Sequence, residues 1–178
     1  MSDYKHPEVL VSTEWASEHL NDPKVRLVEV DVDTSAYTLG HVPGSVGWNW
    51  QTQLQDNVRR DLIDQAALEQ LLGQSGISND TTVVLYGDNN NWFAAYALWQ
   101  LKYWGHGDAR LMNGGRKKWL EEKRPITTEA AKVTPATYKA KDPDKSLRAM
   151  RGNVFEAIEK GKYNLVDVRS PDEFSGKV

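Results

Sequence analysis

Residues 81–104 read TTVVLYGDNNNWFAAYALWQLKYW, and the choice of fold depends on how this stretch divides. Residues 81–86 are a continuous run of apolar and β-branched side chains, the pattern of a strand covered on both faces in a parallel sheet. Residues 92–104 are apolar almost all round and too long for a strand, which predicts a buried helix. Between them lie Gly87, Asp88, Asn89, Asn90 and Asn91, residue types that favour a tight polar turn. Strand, tight loop and helix is the unit on which α/β proteins hold anions and place nucleophiles. This loop has no Cys, Ser, Lys or His, which leaves three readings: an active site, a site that has lost its chemistry, or only a turn.

The alternation continues on both sides of the loop. Residues 9–11 are a short extended segment, and Ser12 is placed to cap a helix with Glu14 at its positive end and Trp15 and Leu20 on its buried side. Asn21-Asp22-Pro23 stops that helix, and VRLVEV at 25–30 is a strand rich in branched residues. The turn GHVPGS at 40–45 leads into a short strand at 46–48. Asp64 opens a helix with Ala67, Leu68, Leu71 and Leu72 at helical spacing. A strand at 109–112, a Gly114-Gly115 turn and a helix at 116–122 carrying Trp119 complete the series. The order predicts an α/β domain over residues 1–124, with a central parallel sheet flanked by helices. Residues 125–146 contain Pro125, Pro135 and Pro143 with little periodicity, and predict a linker or a strap across the surface. Helix and strand then restart at 153–160 and 164–168.

Composition excludes several functions. Hydrophobic residues make up 39% of the 178, enough for a real core. The net charge is −3 without a basic block, which argues against nucleic acid as a partner. Arg116-Lys117-Lys118 is followed by acidic residues and predicts a solvated helix face. The opening MSDYKHPEVL lacks the apolar centre of a signal peptide, and no run approaches a membrane span, so a cytoplasmic location without membrane attachment is expected. The absence of cysteine removes disulfides, thiolate ligands and a cysteine nucleophile. Four histidines lie far apart, and neither a metal nor a cofactor is expected. Asp31 and Asp33 stand at a strand end without a third ligand, which favours surface hydrogen bonding.

The two ends of the chain echo each other. VRLVEVDVDTSAY at 25–37 and YNLVDVRSPDEF at 163–174 each follow a helix and a turn. Residues 147–178 therefore have the form of the opening of a second, similar domain, whose remainder is expected on the same polypeptide or a second chain.

At this point the residues resemble a known family. VEVD, then GHVPGS, VVLYGDNNNWFAAYALWQLKYWGH, LMNGGRKKW and LVDVRSPDEFSGK occur in the order found in two-domain rhodaneses, which are thiosulfate sulfurtransferases. The bacterial two-domain type is the most similar. The resemblance implies two small α/β domains. A catalytic cysteine lies in the loop after the central strand of the second domain, and the first domain carries a cysteine-free copy of that loop. Gly87 or Asp88 then stands at the cysteine position. The expected partners of the site are a small anionic sulfur donor and a thiophilic acceptor such as cyanide.

Sulfur transfer needs a thiolate held at low pKa by loop amides and a helix N-terminus, and a carboxylate cannot replace it. Asp88 is therefore expected to cap the helix that begins near Trp92. The resemblance places Trp92 and Phe93 at the head of that helix, facing the catalytic pocket across the domain interface; core packing is the competing role. It also matches Arg169 to an arginine that organises the second domain through an ion pair, with Glu173 as the expected partner here. Some animal members carry an arginine at the Glu173 position that binds the substrate anion, and the acidic residue here removes that contact. His41 is expected to be a hydrogen-bonded turn residue. An inactive rhodanese-like binding module and a phosphatase-like relative are the alternatives to the enzyme half.

Overall fold

The computed structural model of the chain describes residues 4–161 and 163–178. The chain separates into two compact units, Met1–Asp144 and Lys145–Val178.

The first unit is built on five strands: β1 (Leu10–Val11), β2 (Val25–Glu29), β3 (Val46–Gly47), β4 (Thr82–Tyr86) and β5 (Ala109–Met112). All pairs are parallel, in the order β1-β5-β4-β2-β3. The apolar run at 82–86 occupies the middle, as its lack of a polar face requires. Successive side chains of β4 point to opposite faces. Val83 and Leu85 enter one core with α4 (Gln65–Gln74) and α5 (Trp92–Tyr103), while Val84 and Tyr86 enter the other with α1 (Thr13–Glu18) and α6 (Gly115–Glu121). Ser12 caps α1 by accepting from the Trp15 amide, and Asp64 caps α4 by accepting from the Ala67 amide.

Two short helices, α2 (Ala36–Leu39) and α3 (Trp50–Gln53), form where only irregular chain is predicted. One turn of helix is too short to show a hydrophobic period. The segment 125–144 is a strap on this unit. Ala136 donates to the Gly73 carbonyl, Lys141 to Trp104 and Asp144 to Tyr103, and Tyr138 is buried beneath it.

The second unit contains α7 (Arg151–Lys160) and α8 (Pro171–Ser175). Residues 164–168, expected as a strand, are not one. Val166 and Val168 are 79% and 91% exposed. An extended segment becomes a strand only by laddering to a neighbour, and none of the described strands lies in this unit. No helix among the described residues is long and apolar enough to cross a membrane.

Candidate functional site

The loop after β4 is held from three sides. Gly87 lies so close to the end of β2 that a Cβ on it would meet the Val30 carbonyl oxygen at 2.2 Å. Glycine is thus required by contact with the neighbouring strand. Asn89, Asn90 and Asn91 all adopt positive φ (45°, 59° and 64°), which Asn tolerates better than other side chains that carry a Cβ. Asn91 closes the turn: its Oδ1 accepts from the Gly87 amide (3.0 Å) and its Nδ2 donates to the Met112 carbonyl (2.8 Å). Gly115 must also be glycine, because its φ is +54° and a Cβ would meet Asn91 Oδ1 at 2.2 Å. The predicted Gly114-Gly115 turn is therefore what gives Asn91 its room.

Asp88 does not cap α5. Its carboxylate accepts from the amides of Val32 (2.6 Å) and Asp33 (3.1 Å), and its own amide donates to Asp31 Oδ1 (2.7 Å). The capping expectation fails because three left-handed residues separate Asp88 from the helix start and turn its side chain toward the chain leaving β2. The half-buried Asp88 carboxyl group thus occupies two backbone donors of the adjacent loop.

Beneath it lies a buried polar network. Glu29 is 1% exposed and accepts from the Tyr86 hydroxyl and the Arg116 guanidinium. Tyr86 also meets Ser45 Oγ (2.8 Å) and receives the Val42 amide (3.0 Å), tying the GHVPGS turn to the central strand. Arg116 is thus a part-buried counter-ion to a fully buried acid, contrary to the solvated face predicted for it; Lys117 and Lys118 do point outward, toward Glu121 and Glu122. Asp31 is likewise buried rather than on the surface, and only Asp33 makes the expected exposed hydrogen bonds, with Ser35. Burial, reinforced by the charge and hydrogen bond of Glu29, pushes the Asp31 carboxyl up to about 8, so it carries a proton at neutral pH. The Tyr86 hydroxyl is raised well above its ordinary value by burial and by Glu29.

This network escapes sequence reasoning because Glu29 and Arg116 are 87 residues apart. The available signal is an acidic residue inside the apolar run VRLVEV, which needs a cation once the strand is buried.

The two aromatic candidates have different surroundings. Phe93 is half-buried and stacks on Trp50 with ring centroids 3.9 Å apart, so core packing accounts for it. Trp92 is 62% exposed and open at the head of α5. Arg169 lies in the second unit. Its ion partner is Asp167, not Glu173, and it sits 5.4 Å over the Phe174 ring. Glu173 is held instead in a capping box with Ser170, which starts α8. His41 is a buried turn residue bonded to the carbonyls of Tyr37 and Glu129. A groove of about 670 Å³ between α3 and α4 is lined by residues 52–74 and by none of the loop. Among the described residues no cluster could hold a metal ion.

These features define an α/β domain of the strand–loop–helix type whose loop after the central strand holds a glycine and a carboxylate that accepts from backbone amides of the neighbouring loop. The rhodanese-like domain family matches residues 12–122, and the chain belongs to that family. It is 56% identical to the sulfur carrier protein TtuD of Thermus thermophilus, over 98% of this chain and 62% of that protein. It is 55% identical to a candidate thiosulfate sulfurtransferase of Mycolicibacterium smegmatis, over 96% of this chain and 61% of the relative. The chain thus spans about three fifths of the length of these relatives. Among solved structures, the fold is similar to SseA of Escherichia coli, a 3-mercaptopyruvate sulfotransferase, with a TM-score of 0.83 at 20% identity over 96% of this chain and 69% of that one. An anaerobic ergothioneine biosynthesis enzyme from Chlorobium limicola gives a TM-score of 0.82 at 26% identity, over all of this chain and 48% of that chain.

Proposed function

We propose that residues 1–178 supply the non-catalytic rhodanese-like domain of a sulfurtransferase and one wall of its substrate cleft. The reaction is transfer of the outer sulfur of thiosulfate to an acceptor such as cyanide. A cysteine thiolate on the second domain, outside these residues, attacks that sulfur and releases sulfite. The resulting persulfide gives its sulfur to cyanide, forming thiocyanate and restoring the thiolate. The observation that carries this reading is the Asp88 loop: its carboxylate accepts from the Val32 and Asp33 amides, and residues 87–91 include no Cys, Ser, Lys or His. A second negative charge brought there would be repelled by Asp88. Trp92, exposed at the helix head, is the wall residue, with Phe93 as its support. Arg169 organises the second domain through Asp167.

Thiocyanate formation from thiosulfate and cyanide tests this. Residues 1–178 alone are expected to give none above background. The full gene product is expected to give cysteine-dependent thiocyanate. Activity in the 178-residue chain would overturn the assignment, and a full gene product without cysteine would point to an inactive binding module instead.

A further inference from the structure

The loop after β4 and the loop after β2 meet through three carboxyl groups and one guanidinium. Glu29 is bound by Tyr86 and Arg116. Asp31, 3% exposed, accepts the Asp88 amide and faces Glu29. Asp88 accepts the amides of Val32 and Asp33. Arg116 is committed to Glu29, with a further bond from its guanidinium to the Ala36 carbonyl at 3.4 Å. One cation therefore stands against three acids. If all three were ionised, two uncompensated negative charges would share a poorly solvated site, which proteins avoid by taking up a proton.

Asp31 is the group best placed to hold that proton. It has no cation of its own, and its neighbours are other carboxyl groups. It borders a cavity of about 110 Å³ lined by Glu29, Asp31, Tyr37 and Trp48 among others. The remaining ionisable groups around the cluster do not supply a counter-charge. From β4 comes the Tyr86 hydroxyl, and from α2 comes Tyr37, whose ring stacks on His41 on its way to Ser45. Asp33, beside the loop, is turned to Ser35. From β3 and α3 the cavity wall contributes only Gly47, Trp48, Asn49 and Gln53.

We propose that the Asp31 carboxyl group is a protonated clasp that positions the loop 87–91, and that loss of this proton loosens the loop. The neutral acid donates toward Glu29 while its other oxygen accepts the Asp88 amide. Ionised Asp31 confronts Glu29 and Asp88 at once. The Asp88–Val32–Asp33 bonds then give way, and with them the anchor of the turn from which α5 and Trp92 begin. Asparagine at position 31 reproduces the protonated form, because its Nδ2 donates and its Oδ1 accepts without a titratable proton.

Amide hydrogen exchange read as protection factors tests the clasp. In the unmodified protein, protection at Val32, Asp33 and Asp88 is expected to fall steeply, by up to about tenfold per pH unit, between about pH 5 and about pH 8 and to level off above that. Asp31→Asn is expected to keep high protection across that range. A flat profile in the unmodified protein, or the same fall in Asp31→Asn, overturns the proposal. A carbon-13 titration of the Asp31 carboxyl in the unmodified protein decides it even if the variant does not fold. A midpoint near 8 is expected, and a midpoint in the ordinary carboxylate range refutes it.

Discussion

Residues 27–31 read LVEVD and residues 165–169 read LVDVR, and the two segments have opposite fates. In the first, Val28 and Val30 are fully buried and Glu29 sits beneath a guanidinium from α6. In the second, Val166 and Val168 lie open and Asp167 is bound by Arg169, two residues further along. The local pattern of alternating apolar and acidic residues is the same. What differs is whether neighbouring strands are there to pair with. β2 is laddered to β4 over its whole length and to β3 at its end, whereas no described strand lies in the second unit. The cations differ in origin too. The second segment carries its own arginine, at the position where the first has Asp31. The first must draw its cation from 87 residues away.

The sharpest way to break this comparison is to remove the acid from each copy. Glu29→Ala leaves the part-buried Arg116 without its partner and the buried Tyr86 hydroxyl without its acceptor. Loss of one member of a buried pair costs about 3–5 kcal/mol, so a large fall in the urea midpoint is expected. Asp167→Ala acts on an exposed pair and is expected to leave the midpoint where it was. Equal effects would show that the buried network does not carry the first unit.

The same contrast explains what was legible in the sequence. The parallel sheet was, because the run at 82–86 and the helix after it have patterns that no other placement satisfies. Caps at Ser12 and Asp64 were, because their partners lie three residues away. Gly114-Gly115 was, because a double glycine marks a turn. Asp88 was not. It stands just ahead of a helix, so local reasoning makes it a cap, while its actual partners Val32 and Asp33 lie 56 and 55 residues back. Glu29, Asp31 and Arg116 were missed for the same reason. A strand at 164–168 was read from period alone, and period does not supply the neighbour a strand requires.

A smaller effect separates the valines themselves. Val28→Ala removes methyl groups from a closed core and is expected to cost about 2 kcal/mol. Val166→Ala removes them from a surface that is 79% exposed and is expected to change nothing measurable. Thermal melts of the two variants in the 178-residue chain make the comparison directly. If Val166→Ala were the more damaging, residues 164–168 would hold a packed role that the structure does not show.

The smallest expected change is at the exposed Asp167 and concerns protons, and here the two copies have opposite signs. Burial raises Asp31 to about 8, so the folded state holds a proton that the unfolded chain releases near 3.8. Its contribution is therefore greatest at low pH and is lost as pH rises from about 4 to about 8. Asp167 is shifted the other way, lowered by the hydrogen bond from Arg169. Its contribution is present above the ordinary carboxylate value and is lost as pH falls through the depressed one. Arg169→Ala is expected to leave the melting temperature at pH 7 unchanged and to return Asp167 to an ordinary carboxylate titration, followed by carbon-13 shifts. An unmoved Asp167 would mean that Arg169 is not its effective partner. A shifted Asp167 with an unchanged melting temperature would show that the exposed copy keeps the electrostatic geometry of the motif without the burial that makes it count in the first unit.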